Sequence, residues 1–156
     1  MLTAYPVTVD VVVRWGDMDS LGHVNNVMYL RYFEIARIAY LERLGMEPPG
    51  PEWGEQGLII SAVSCRFKLP VTYPDTLSVG ARVSAVGEDR LIMEHVAVSQ
   101  RLSKVAAVGD AEIVSYDYLA GCRASLSPDR LNALCELERR EPDRLPPRLR
   151  RNDDRG

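Results

Sequence analysis

The sequence is poor in the residues that build disulfide frameworks and metal sites: 156 residues contain three cysteines and two histidines. Cys65, Cys122 and Cys135 are widely separated and form no C-x-x-C pair, and only His23 and His95 could complete a metal site. Neither a zinc site nor a bridged scaffold is expected, and the thiols read as reduced packing residues. Nothing near Cys65 in sequence supplies the base that a nucleophilic cysteine needs. A basic excess is also missing. The formal net charge is -3, which gives no electrostatic reason to bind a polyanion such as nucleic acid. No stretch approaches the ~20 apolar residues of a membrane-spanning helix, and Met1 to Pro6 contains no basic residue followed by an apolar run. A cytoplasmic protein is expected. No internal repeat is apparent.

What the chain does have is the composition of one ordinary globular domain, with 46% hydrophobic and 26% charged residues. A domain near this size hides only about 70% of the surface its unfolded chain exposes, so association would add usefully to burial. The expected organisation is a single domain over residues 1–140, followed by a charged, proline-containing and mobile tail over residues 141–156.

Val7, Val9, Val11 and Val13 alternate with Thr8, Asp10 and Arg14, the two-residue period of a strand with one buried face. After a polar loop, Asn26 to Leu44 contains no Gly or Pro and is followed by Gly45, a helix stop. Arg31, Glu34 and Arg37 recur every three positions, while Val27, Met28, Leu30, Phe33, Ile35, Ile38, Ala39 and Leu41 cover most of the remaining circumference. A helix patterned this way is expected to be enveloped by a curved sheet or sealed by a partner subunit. From Leu58 onward the pattern returns to strands, with a turn at Gly87-Glu88-Asp89, another near Ser103 and a bulge expected at Gly109. Pro128 opens a short final helix ending near Arg139. One helix followed by four strands joined by short turns implies an α+β fold, a mainly antiparallel sheet wrapped on a central helix.

Function-capable groups concentrate in Trp15-Gly16-Asp17-Met18-Asp19-Ser20-Leu21-Gly22-His23-Val24-Asn25-Asn26, which leaves the first strand and enters the helix. A helix N-terminus offers free N–H groups and a dipole that attracts negative charge, including a carbonyl oxygen on its way to an oxyanion. The same residues have an ordinary reading. Asp19, Asn25 or Asn26 could cap the helix, Gly22 could supply a positive φ, and His23 could be a hydrogen-bonded loop residue.

The block from Trp15 to Arg37, W-G-D-M-D-S-L-G-H-V-N-N-V-M-Y-L-R-Y-F-E-I-A-R, resembles the signature of the hotdog-fold thioesterases related to 4-hydroxybenzoyl-CoA thioesterase and bacterial acyl-CoA thioesterases. Leu69 to Leu77, L-P-V-T-Y-P-D-T-L, is similar to that family's Tyr-x-Asp-x-Leu segment. The resemblance spans roughly residues 7 to 120 and implies a hotdog fold: one long central helix wrapped by five or six mainly antiparallel strands. It also implies hydrolysis of an acyl thioester, with acyl-CoA as a small-molecule substrate and no cofactor beyond that CoA. Asp19 would be the catalytic carboxylate, attacking the thioester carbon or activating water, and Asp17 its support. The backbone N–H of Asn26 would polarise the carbonyl. His23 matches the histidine of plant-type and bacterial acyl-ACP thioesterases, but Leu21 stands where those have asparagine, so His23 is expected to position water. Another bacterial branch has a histidine where this chain has Asn26.

The resemblance further implies a homodimer, or a homotetramer built from dimers, with each active site at the dimer interface. For the phosphates of CoA, Arg90, Arg66 and Lys68 are candidates as exposed cations. His95 reads as a satisfied sheet histidine. Acyl-ACP hydrolysis, a non-catalytic acyl-CoA-binding module and a hotdog dehydratase or hydratase are the rival functions.

Overall fold

Alternating valines produce the first strand, β1 (Val7–Val12), with Val7 buried and Val9 and Val11 packed against the core. The computed structural model describes residues 1–46 and 56–146. After β1 the chain makes a short 3-10 turn at Trp15–Asp17 and enters helix α1 (Asn26–Arg43). The N-cap is Asn25, whose side chain accepts a hydrogen bond from the Val27 N–H at 3.0 Å. Gly45, at φ 72°, ends the helix in the left-handed region.

Four long strands follow: β2 (Gln56–Phe67), β3 (Thr76–Val86), β4 (Arg90–Ser99) and β5 (Lys104–Asp117). Their order across the sheet is β1-β3-β4-β5-β2, antiparallel at every step. Gly87 to Asp89 makes the β3–β4 hairpin as expected, with the Gly87 N–H donating to the Arg90 carbonyl at 2.7 Å. The two-residue strands β6 (Cys122–Arg123) and β7 (Asp143–Arg144) pair with β5 and β3, so the sheet has seven strands. Helix α2 (Pro128–Glu138) starts at an N-cap Ser127. The Glu138 carboxylate accepts from the Tyr40 hydroxyl at 2.7 Å and the Val83 N–H at 2.6 Å, tying α2 to both α1 and β3.

The core-facing stripe of α1 is Tyr29, Tyr32, Phe33, Ala36 and Tyr40, spaced three and four residues apart. Half of the eight apolar residues named for it are not enveloped within the chain: Val27, Leu30, Ile35 and Ile38 stay exposed, and the supposedly outward Arg37 is buried. The tyrosines carry the burial because each is mostly ring, with a hydroxyl that Asp17 or Glu138 can satisfy at positions 32 and 40. Helix α1 lies across β1, β3 and β4, leaving β2 as an edge strand that is exposed over most of its length.

Two further expectations are corrected. Gly109 is no bulge; it keeps regular register with Cys65 and His95, and the irregularities fall elsewhere. A Cβ there would come within 2.5 Å of the Ser64 carbonyl oxygen and 2.7 Å of the Phe33 ring, so the glycine permits close approach of the helix. The folded part also extends past residue 140. Pro142 is buried, β7 pairs with β3, and the Leu145 N–H donates to Val86 O at 2.8 Å. The rest of the expected tail, residues 147–156, lies outside the described residues. Among those described, no helix is long and apolar enough to cross a membrane.

His95 on β4 is 2% exposed and stacks on Phe33 with ring centroids 5.1 Å apart. Contrary to expectation it is not fully satisfied, because its Nε2 has no hydrogen-bond partner among the described residues. Burial, reinforced by the nearby Arg37 charge, pushes its pKa from 6.5 down to about 3. The folded chain holds the ring neutral, whereas the unfolded chain takes up a proton as the pH drops below its ordinary value. The stability tied to this ring is therefore full above pH 6.5 and declines as the pH falls towards 3. His95→Phe, which keeps an aromatic ring, should remove about 2 kcal/mol of the stability lost between roughly pH 7.5 and 5. Urea titrations at a series of pH values read this directly, and an unchanged slope in the variant would contradict a neutral buried imidazole.

Candidate functional site

The loop between β1 and α1 owes its shape to Asp17. This carboxylate is buried, and one oxygen, Oδ2, accepts both the Arg14 N–H and the Tyr32 hydroxyl at 2.8 Å. Its backbone carbonyl accepts from Asn25 N–H at 2.9 Å. Burial and the Asp17 carboxylate raise the Tyr32 phenol above its ordinary pKa, so it remains a donor. The side chain thus pins the 3-10 turn to the middle of α1, and its carbonyl pins the helix N-cap.

Asp19 is held differently. It is half-buried, and its Oδ1 accepts the Leu21 N–H at 2.8 Å across a two-residue turn. No hydrogen bond reaches Oδ2 from any described residue. The loop closes on itself: Asp19 N–H donates to His23 O at 3.0 Å, Gly22 N–H donates to Asp19 O at 3.0 Å, and Gly22 sits at φ 79°. Met18 and Val24 form an isolated antiparallel bridge. Gly22 therefore does supply the positive φ that a tight reversal needs.

The second motif proves to be a brace for the first. Val24 N–H donates to Val71 O at 2.8 Å, Tyr73 N–H points to the Met18 sulfur at 3.4 Å, and the Trp15 and Tyr73 rings meet edge-on at 5.9 Å. Asp75 is the anchor of that brace. Its buried carboxylate accepts from Thr76 N–H at 2.7 Å, Arg101 N–H at 3.1 Å and the Ser99 hydroxyl at 2.5 Å. Its backbone carbonyl accepts from Val13 N–H at 2.9 Å, at the end of β1. Loop and brace are pieces of one substructure, although some fifty residues separate them in sequence.

Asp19, His23 and Asn26 line a single recess of about 480 Å³, with Lys68 on its rim and Tyr29 and Phe67 among its walls. That volume lies within the usual range for small-molecule sites. Asn26 is the first residue of α1, so its N–H has no carbonyl one turn earlier to pair with. His23 is partly exposed and its Nδ1 lies 3.3 Å from Val24 O. The arrangement sets a carboxylate with one unbonded oxygen beside an amide that can stabilise negative charge.

The three cations fare unequally. Lys68 joins the recess, and Arg66 is exposed on β2 but does not line it. Arg90 is not the exposed cation expected: it is 8% exposed, donates to Pro146 O at 2.9 Å, and sits near Asp89 and Glu112 at 3.6 and 3.9 Å. It fastens the end of the described chain to the β3–β4 hairpin. Its position beside a turn concealed this, because the segment that covers it comes from more than fifty residues later in the chain. The apolar walls Tyr29, Phe67 and Leu69 also went unread in the sequence, where their periodicity marks them only as sheet or helix residues.

A family model described as the thioesterase-like superfamily matches residues 13–152. The chain belongs to that superfamily. Its fold is the hotdog fold expected from the sequence. A thioesterase from Thermus thermophilus, solved in complex with coenzyme A and Zn, is 32% identical, with 88% of this chain and 98% of that one covered at a TM-score of 0.77. A 1,4-dihydroxy-2-naphthoyl-CoA thioesterase from Synechocystis has the same fold at 19% identity, covering 85% and 97% of the two chains at a TM-score of 0.76. Among curated proteins, a chloroplastic acyl-acyl carrier protein thioesterase of Arabidopsis thaliana is 30% identical over 87 residues, covering 56% of this chain and 46% of that protein. The chain spans about half the length of the curated relatives it matches.

The two aspartates should separate experimentally. Asp17→Ala leaves the Arg14 N–H and the Tyr32 hydroxyl without their acceptor and should lower unfolding free energy by about 1–3 kcal/mol. Asp19→Asn keeps shape and the turn acceptor and should leave the denaturation midpoint nearly unchanged. Equal destabilisation by both would contradict this division of labour.

Proposed function

We propose that the protein hydrolyses acyl-CoA thioesters to a free acid and CoA, with Asp19 as the catalytic carboxylate. One observation carries the reading: the Asp19 carboxylate, with an oxygen left unbonded, shares a recess with the first residue of α1. The thioester carbonyl would sit against the Asn26 N–H, where charge accumulating on oxygen meets the positive end of the helix dipole. Asp19 would attack the carbonyl carbon to give a mixed anhydride that water then hydrolyses to the free acid, or would take a proton from a water that attacks the carbon directly. The C–S bond then breaks and the electron pair leaves with the CoA sulfur, a good leaving group that needs no strong acid. His23 would orient the water from the rim. Lys68 and Arg66 would meet the anionic portion of CoA. The reading needs no cofactor other than the CoA of the substrate, and membership of the thioesterase-like superfamily and the CoA-bound relative support it. Three unpaired cysteines accord with a cytoplasmic location.

The likeness to an acyl-ACP thioesterase favours one second reading, in which the thioester arrives on a carrier protein. Thiol release from acyl-CoA and acyl-ACP of the same chain length separates the two. On the acyl-CoA reading, Asp19→Asn should lower kcat/KM by a factor of about 10²–10⁴. Full activity in that variant would move the chemistry elsewhere.

The working unit we propose is a homodimer joined along β2, with pairs of dimers as an optional higher assembly. Among the described residues strand β2 ends the sheet with an unpaired edge, and Ile60, Val63 and Phe67 are 43%, 49% and 51% exposed on it. Val27, Leu30 and Ile38 of α1 are exposed as well. A long apolar edge beside an apolar helix face is a surface that a second copy would cover. Pairing there would bring a partner's strands over the Asp19 recess. Ile38→Glu, placed away from that recess, should weaken the dimer at least tenfold in sedimentation equilibrium, and a wild-type monomer at working concentration would contradict the proposal.

A further inference from the structure

A second recess, of about 420 Å³, opens between α1 and the sheet beyond the first. Its walls include Val27, Leu30, Phe33, Ile60 and Val63, and its floor holds two polar side chains that nothing described so far employs: Arg37 and His95. Arg37 is 9% exposed, and no described residue offers its guanidinium a hydrogen bond or a carboxylate within 4 Å. His95 is hydrogen-bonded to the Gly109 backbone in a way that favours a proton on the bonded nitrogen, while its buried Nε2 is unpartnered. With the ring neutral, Nε2 presents a lone pair. A buried acceptor and the guanidinium of a largely buried arginine therefore line one recess, and a buried polar atom left without a partner, as Nε2 is here, is uncommon.

We infer that the Arg37–His95 recess is a specificity subsite for a hydroxyl group carried far out on the acyl chain of the substrate. The inference rests on the thioesterase reading above. A hydroxyl satisfies both partners at once, accepting from the guanidinium and donating to Nε2. A carboxylate suits the space less well, because it has no proton for Nε2 and would meet the charge of Asp110. The charges lining the recess already balance in number, Arg31 and Arg37 against Glu34 and Asp110: Glu34 pairs with Arg31 and also acts on Arg37, and Asp110 accepts from the Ser64 hydroxyl at 3.1 Å. A neutral polar group adds no net charge to that set.

Position fixes the length of the acyl group. Both recesses lie along the groove between α1 and β2, the first at Asn26 and Phe67 and the second around Phe33 and Val63. From Asn26 to Phe33 the helix advances about 10 Å at 1.5 Å per residue. Tyr29 and Phe67 both line the first recess and meet edge-on with ring centroids 5.3 Å apart, so the intervening methylenes would pass over that aromatic pair. The substrate is thus a medium-length hydroxyacyl thioester whose distal oxygen reaches past that aromatic pair.

The test compares medium-chain acyl-CoAs with ω-hydroxyacyl-CoAs and ω-carboxyacyl-CoAs of equal length, by thiol release, using the full chain. Non-hydrolysable thioether analogues of all three are titrated by calorimetry in parallel. The hydroxyl should raise kcat/KM and thioether affinity of the wild type about tenfold at the matching length, the worth of one well-made pair of buried hydrogen bonds. Arg37→Met and His95→Phe should erase that preference while plain acyl-CoA is still cleaved. No hydroxyl preference in the wild type, a preference for the carboxylate, or a preference that survives both substitutions would overturn the subsite. Selective binding of the hydroxyl thioether with no cleavage of any thioester would uphold the subsite and overturn the hydrolase reading, whereas neither binding nor cleavage would overturn both.

Discussion

The structure around the candidate active site depends on one buried carboxylate. Asp17 accepts from the Arg14 N–H ahead of the 3-10 turn and from the Tyr32 hydroxyl on the core face of α1, and its carbonyl accepts from the residue that caps the helix. Strand end, turn, helix cap and helix body are thereby referred to a single residue. A carboxylate removed from water persists only when donors replace its hydration, and here both donors belong to the elements being joined. Asp19 follows two residues later, so its place relative to the first turn of α1 is set by bonds it does not itself make.

A second buried carboxylate repeats the arrangement from below. Asp75 gathers Thr76, Ser99 and Arg101, and through its carbonyl the end of β1, so that β1, β3 and the turn after β4 meet at one point. The Val71 to Tyr73 stretch just before it then lies along the Asp19 loop and holds Val24 and Met18. Such rigidity matters because a reacting group must be held within a fraction of an ångström of its productive position. It also gives a physical reason for the co-occurrence of the two sequence motifs: each is hydrogen-bonded to the other.

Period and punctuation made most of this legible. Valine alternation marked β1, the span free of Gly and Pro marked α1, Gly45 marked its end, and Gly87 to Asp89 marked the hairpin, because each is a local property of the backbone. Failures came where a distant segment decides the outcome. Leaving the tyrosines out of the apolar set hid the inward face of α1, since whether a phenol can be buried depends on an acceptor as remote as Glu138. Gly109 looked like an irregularity, while its role is to admit Phe33 from another element. Arg90 looked solvated because nothing local shows that Pro146 returns to cover it. Within the site itself, Asp19, His23 and Asn26 lie in one short stretch and were readable together. The walls that would choose the acyl group come from β2 and the far side of the helix, and those were not.

The apolar pattern of α1 then makes sense as two separate demands on one helix. Its tyrosine-rich stripe is satisfied inside the chain, but Val27, Leu30 and Ile38 are left over, and so is the edge of β2 beside them. Exposed β edges and apolar helix faces invite association, and natural proteins usually blunt or cover them. Here they border the groove that contains both recesses. Residues kept apolar at the mouth of a groove can cover a substrate chain, a second subunit, or both at once. Meeting both demands with the same side chains would link occupancy to assembly: a partner closing over the groove excludes water from the thioester, and in a drier site the field of the helix start acts more strongly on the developing oxyanion.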